Sequence, residues 1–156
     1  TAEVPAGKEY AVHVSADGYL IHSEHVGSGK GQVQMDMDLM ALDPGNSEVM
    51  RNIFFERDSY KLSAASTTEL EKLAEFLKRN PTLRIEIGGH TDSDVGSVPN
   101  QQLSEARAYV VLNWLVAHGI SPDMLEAKGY GDSQPLKPDP VDGEKALNRR
   151  TVIRVL

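Results

Sequence analysis

Two side chains of opposite charge, Asp92 and Arg107, carry the plainest chemistry in this chain. The run Gly88-Gly89-His90-Thr91-Asp92-Ser93-Asp94 follows a strand pattern at its C-terminal end, the edge where helix-flanked sheets place ligand groups. Arg107 falls on an apolar helical stripe of Leu103, Ala106, Val110, Val111, Trp114 and Leu115, in an early turn where the helix dipole favours anions. Two readings fit a cation there. Either its stem covers core edge while the guanidinium reaches water, or a recess fixes the guanidinium as a fork for a carboxylate or phosphate. In the second reading Asp92 and Arg107 face each other across one pocket.

Other chemistries on these residues fail on geometry. Ser93, His90 and Asp94 are the right types for a hydrolase triad, but such close neighbours in one loop cannot form the relay, and no nucleophile elbow is present. His90, Asp92 and Asp94 alternate like metal ligands, yet a site needs a third or fourth donor at fitting geometry. Catalysis, metal and cofactor are therefore not expected. His13, His22, His25 and His118 read as surface or strand-face residues. Tyr109, Tyr130 and Trp114 read as core, with Tyr130 at a strand end able to border the pocket.

The elements that must position these groups follow from periodicity. Ile53-Phe54-Phe55 is a short apolar strand, Ser63 an N-cap, and Leu70, Leu73, Ala74 and Leu77 form one helical face that ends at Asn80-Pro81. Leu83, Ile85 and Ile87 alternate as a strand ending at Gly88-Gly89, and a loop leads to a helix over about 99–118, closed by Gly119. Residues 125–130 and 151–155 are further strands, with a short helix at 142–147 between them. The class is α+β: a βαβαβ(α)β mixed sheet with helices packed on one face. Ahead of it, residues 10–15 and 19–25 read as a hairpin around Ala16-Asp17-Gly18, and residues 32–42 alternate as a half-buried strand. A turn at Asp43-Pro44-Gly45-Asn46 divides the chain into 1–45, the end of a truncated β-sandwich, and 46–156.

Composition sets the outer bounds. The 156 residues include 16 Lys and Arg, 23 Asp and Glu and no Cys, with 40% hydrophobic residues and a net charge of −7. That is enough apolar material for a core. The acidic balance argues against nucleic acid, and the missing cysteines remove disulfides and thiolate chemistry. No apolar run approaches the roughly 18 to 20 residues that span a bilayer, so no direct membrane span is expected in this chain. Residues 1–50 hold two cations against eight anions, a face expected to be solvated.

Gly89-His90-Thr91-Asp92, Gly96, Asn100, Leu103-Ser104, Arg107-Ala108, Gly129-Tyr130-Gly131-Asp132, Pro135 and Asn148-Arg149-Arg150 together resemble the OmpA-like peptidoglycan-binding domain of the OmpA, Pal and MotB family, over about residues 50–156. The resemblance implies non-covalent binding of the wall stem peptide at meso-diaminopimelate, whose distal end carries an ammonium and a carboxylate. It implies that Asp92, beside Thr91, accepts the ammonium and Arg107 grips the carboxylate. Asn100 and Arg149 match further binding positions, and Asp58 aligns with a pocket position occupied by Asn or Asp. It further implies a periplasmic, outer-membrane-associated tether in a Gram-negative bacterium, with no reaction performed. The alternative it leaves is a protein-interaction module of an envelope secretion or stator-like assembly. The loop 139–145 departs from the family pattern, with a lysine where arginine is usual. Residues 1–45 resemble the last strands of the carboxypeptidase-regulatory-like β-domain that precedes such modules in Bacteroidetes envelope proteins.

Overall fold

A computed structural model describes residues 4–27, 29, 31, 33–56, 59–93, 99–138 and 145–156. Six strands and three α-helices follow one another as β1 (Tyr10–Val14), β2 (His22–Val26), β3 (Ser47–Met50), α1 (Thr67–Arg79), β4 (Ile85–His90), α2 (Asn100–Ala117), β5 (Leu125–Gly129), α3 (Lys145–Asn148) and β6 (Arg150–Val155). The strands β3-β6-β4-β5 make one mixed sheet, with β4 and β5 parallel and the other pairs antiparallel, while β1 and β2 form a separate antiparallel pair. The α+β class holds.

Alternation along the central strands decides which face the helices cover. Ile85 and Ile87 of β4 pair across to Val155 and Ile153 of β6, and all four are buried against Leu73 and Leu77 of α1 and Val111 and Leu115 of α2. Each such side chain contributes about 1.5 to 3 kcal/mol by leaving water. The buried face of α2, however, is Ser104, Arg107, Ala108, Val111 and Leu115, whereas Leu103, Ala106, Val110 and Trp114 of the expected stripe are half-buried. The cause is backbone contact with the sheet. A Cβ at Gly89 would lie 2.1 Å from the Ser104 carbonyl oxygen, and one at Gly129 would lie 2.5 Å from the Glu105 nitrogen. Only glycine beneath and a small residue above permit that approach. Both glycines belong to strands, so β4 runs past the expected stop at Gly88-Gly89 to His90.

Three expectations need correction. Ile53-Phe54-Phe55 is not a sheet strand; the first strand is Ser47–Met50, and the later segment is fastened to the turn before α1. There the Phe54 amide donates to Ser66 Oγ (2.8 Å), Ser66 Oγ donates to the Phe54 carbonyl (2.9 Å), and only Phe55 bridges to Leu62. Three apolar residues in a row signal burial, not pairing. Residues 33–42 do alternate, with Met35, Met37 and Leu39 half-buried, but form no strand beyond a single bridge between Ala41 and Tyr19. A pattern without a partner edge makes no ladder; residue 32 lies outside the described residues. Finally, the second hairpin strand begins at His22 and not at Tyr19, because Leu20 and Ile21 turn into the main core.

Smaller differences are local. Ser63 caps a single 3-10 turn, accepting from the Ala65 amide, before α1 begins at Thr67. Of the helix expected at 142–147, α3 is described only as Lys145–Asn148, and 142–144 lie outside the described residues. Gly119 takes φ +91 and closes α2 as expected. His13 and His22 are not surface residues: both are half-buried, His13 Nε2 lying 2.5 Å from Glu69 Oε2 and His22 Nδ1 3.2 Å from Glu48 Oε1.

Candidate functional site

A cleft of about 820 Å³ opens where β4 ends. Its walls are the chain from Val49 to Glu56, the residues His90, Thr91 and Asp92 leaving β4, Leu103 and Arg107 of α2, and the stretch around Arg149 and Arg150. Two main-chain bonds fix the exit from β4: the Thr91 amide donates to the Gly131 carbonyl and the Tyr130 amide to the Gly89 carbonyl, each at 2.9 Å. Ser104 ties the same corner to α2, donating to the Gln101 carbonyl and accepting from the Gly131 amide, both at 2.9 Å. Asp92 and Arg107 are thus carried on neighbouring parts of one braced unit.

Arg107 does not snorkel. Its side chain is buried, Nε donates to the Ser59 carbonyl at 2.9 Å, and the guanidinium lies 5.0 Å from the centre of the Phe55 ring. A cation over an aromatic face in a recess is attracted by the ring and held in one orientation. Asp92 is 7% exposed and accepts from the more open Arg149 guanidinium. Thr91 is 3% exposed, and its Oγ1 is buried without a hydrogen-bond partner.

Of the residues singled out by sequence, Thr91, Asp92, Arg107 and Arg149 all line this cleft. Asn100 does not: it is the first residue of α2 and packs beside Gly131. Asp58 lies outside the described residues, as does Asp94. Tyr130 stacks on His90 at 5.0 Å instead of lining the cleft, and its hydroxyl donates to Glu86 at 2.6 Å. The conserved-looking run Asn148-Arg149-Arg150 divides its work. Asn148 Oδ1 accepts from the Leu136 and Lys137 amides and so pins the preceding loop, while Arg149 reaches Asp92.

Sequence reasoning missed Arg51, Phe54, Phe55 and Arg150 as cleft residues. The only signal available was an apolar run flanked by charge, which reads equally well as a strand. His90 is a further resident of the cleft. Its burial, with Arg150 and Arg154 nearby, lowers the imidazole pKa to about 4, so the ring is neutral near pH 7. Among the described residues no three His, Cys, Asp or Glu side chains are grouped to hold a metal ion. What the cleft offers chemically is buried, oriented charge of both signs beside an aromatic wall.

A mixed sheet backed by helices, with buried charges converging where a central strand ends, defines a ligand-binding module. The chain belongs to the OmpA family, whose model matches residues 54–149. It is 34% identical over 99 residues to outer membrane porin F of Pseudomonas fluorescens, covering 64% of this chain and 30% of that protein. It is also 34% identical to the peptidoglycan-binding protein ArfA of Mycobacterium tuberculosis, covering 66% of this chain and 32% of that protein. The chain therefore spans about a third of the length of these relatives. Among solved structures, the peptidoglycan-associated lipoprotein of Burkholderia pseudomallei superposes with TM-score 0.61 at 29% identity, covering 67% of this chain and 88% of that one. Among the described residues no helix is long and apolar enough to cross a membrane.

Proposed function

We propose that this chain binds cell-wall peptidoglycan non-covalently through the meso-diaminopimelate of the stem peptide, tethering an envelope protein to the wall without performing a reaction. The observation that carries the proposal is the burial of Arg107 and Asp92 in the walls of one cleft. A zwitterionic end group needs one anion and one cation at fixed separation. Asp92 accepts the ligand ammonium, Arg107 forks its carboxylate, and Thr91 and Arg149 complete the polar rim. Asn100 and Asp58 are proposed on the family resemblance alone. Residues 46–156 form the binding module in this reading, residues 1–45 the end of a preceding β-domain, and the setting is the periplasm beside the outer membrane. The relatives named for binding or associating with peptidoglycan support it.

The alternative, a protein-interaction module of an envelope assembly, draws on the exposed Phe54, Leu136 and Leu147 around the cleft. One experiment separates the two. Binding to purified sacculi is expected for the native chain, with soluble stem peptide affinity on the order of micromolar to millimolar. Asp92→Ala and Arg107→Ala should each cost roughly 2 to 4 kcal/mol by leaving a desolvated ligand charge unpaired. Peptides with lysine in place of diaminopimelate lack the distal carboxylate and should compete at least about ten-fold more weakly. Sacculus binding undiminished in both variants overturns the assignment.

A further inference from the structure

We infer that Arg51 and Arg150 form a second anion subsite in the cleft, which takes a carboxylate of the bound peptide outside its zwitterionic end. The inference rests on the wall-binding reading and names a further feature of its ligand. Antiparallel pairing of β3 with β6 sets Met50 opposite Thr151, so the next residues outward are Arg51 and Arg150. Across the other edge of β6, Arg150 pairs with His90. Two arginines thus arrive side by side, and both line the cleft.

Their surroundings do not neutralise them. Arg150 is half-buried, and its hydrogen bonds go to backbone carbonyls, Nη1 to Asn148 at 3.3 Å and Nη2 to Gln134 at 2.8 Å. Its Nε is buried without a partner, and among the described residues no carboxylate pairs with it. Arg51 has one ion pair, its Nε lying 3.4 Å from Oε2 of Glu24 on β2. His90 is neutral beside them. Among the described charged residues of the cleft, Arg51, Arg107, Arg149 and Arg150 face only Glu56 and Asp92, although the whole chain is acidic. Adjacent like charges repel, and a cation withdrawn from water without a counter-charge is costly. A carboxylate set across the pair would relieve both and gain charge-assisted hydrogen bonds. Space permits it: about 820 Å³ is a cleft for several peptide residues, far more than one end group fills. Glu24 then acts as a built-in competitor for Arg51, which places the N-terminal β pair in contact with the ligand site.

Calorimetry on the full chain tests this with a synthetic diaminopimelate tripeptide whose carboxylates outside the distal zwitterion are either free or amidated. Amidation should weaken binding to the native chain by about five- to ten-fold, as should Arg51→Gln with the free peptide. Combined, the two changes should weaken binding little more than either alone, since they remove one interaction. Glu24→Gln should tighten binding of the free peptide by about three-fold, a gain that misfolding cannot produce. Tight binding indifferent to amidation, or an unaltered Glu24→Gln affinity, overturns the subsite while leaving wall binding intact. Absence of binding by either peptide overturns the wall-binding reading and the subsite with it.

Discussion

Arg107 serves two ends with one side chain: its Nε is spent on the Ser59 carbonyl, and its planar head rests on Phe55. A lysine keeps the charge but has neither the Nε donor nor the fork. Arg107→Lys should therefore lose about ten-fold or more in sacculus binding, together with ~1 kcal/mol of stability from the missing hydrogen bond, the first read by pull-down and the second by urea unfolding. His90 gives a prediction in pH. Its folded pKa, about 4, lies below the ordinary 6.5, so the native state binds its proton less readily than the unfolded chain does. That contribution is fully present above about pH 6.5 and fades as pH falls toward 4, with a slope of at most about 1.4 kcal/mol per pH unit. Glu48, lifted by burial, works with the opposite sign, weakening the fold as pH rises through its own value. The difference between native chain and His90→Gln isolates the histidine, and stability curves that stay parallel from pH 7 to 4 would contradict it.

At the scale of elements, the β4-α2-β5 unit is the part that holds the site, and its tolerance is set by two glycines. Gly129→Ala puts a methyl group within 2.6 Å of Ser104 Oγ and 2.5 Å of the Glu105 nitrogen, so α2 must shift. Overpacking of this kind costs about 1 to 3 kcal/mol or more, and the moved helix carries Arg107 with it. Gly129→Ala should lower both the melting temperature and sacculus binding, whereas Gly27→Ala, with open space around it, should alter neither. This unit was also the most legible in the sequence. Ile85 and Ile87 alternate, α2 has a clear stop at Gly119, and an arginine interrupting an apolar stripe announced the recess. The strand β3 was not legible, because an edge strand pairs on one side only and half of its burial comes from the distant hairpin, as Glu48 meeting His22 illustrates. Nor was the Arg51 and Arg150 pair, since their adjacency arises from the register of two strands at opposite ends of the module. Spacing along the chain carries local faces well and such long-range registers poorly.

Over the whole molecule, the N-terminal segment is bonded into the module in a way that composition did not suggest. Leu20 and Ile21 are buried in the same core as α1 and β4. Beside them Asn52 Nδ2 donates to Ser23 Oγ at 3.1 Å and to Glu69 Oε2 at 3.2 Å, and the same carboxylate meets His13. Glu69 is buried at the start of α1, so removing its partners leaves a desolvated carboxylate facing a void. Two changes test how far this docking supports the fold. Leu20→Ala creates a cavity at a closed site and should cost about 2 to 5 kcal/mol. Excising residues 4–27 removes both apolar plugs and the His13 and Ser23 contacts, and should cost at least as much. Unfolding in urea, followed by circular dichroism and by Trp114 fluorescence, should give coincident transitions in the full chain and a lower midpoint in both variants. If the segment were an appendage, the excised chain would unfold at the native midpoint and Leu20→Ala would be silent. A lowered midpoint with sacculus binding retained would instead show that the segment stabilises the module while the cleft holds its ligand with its own residues.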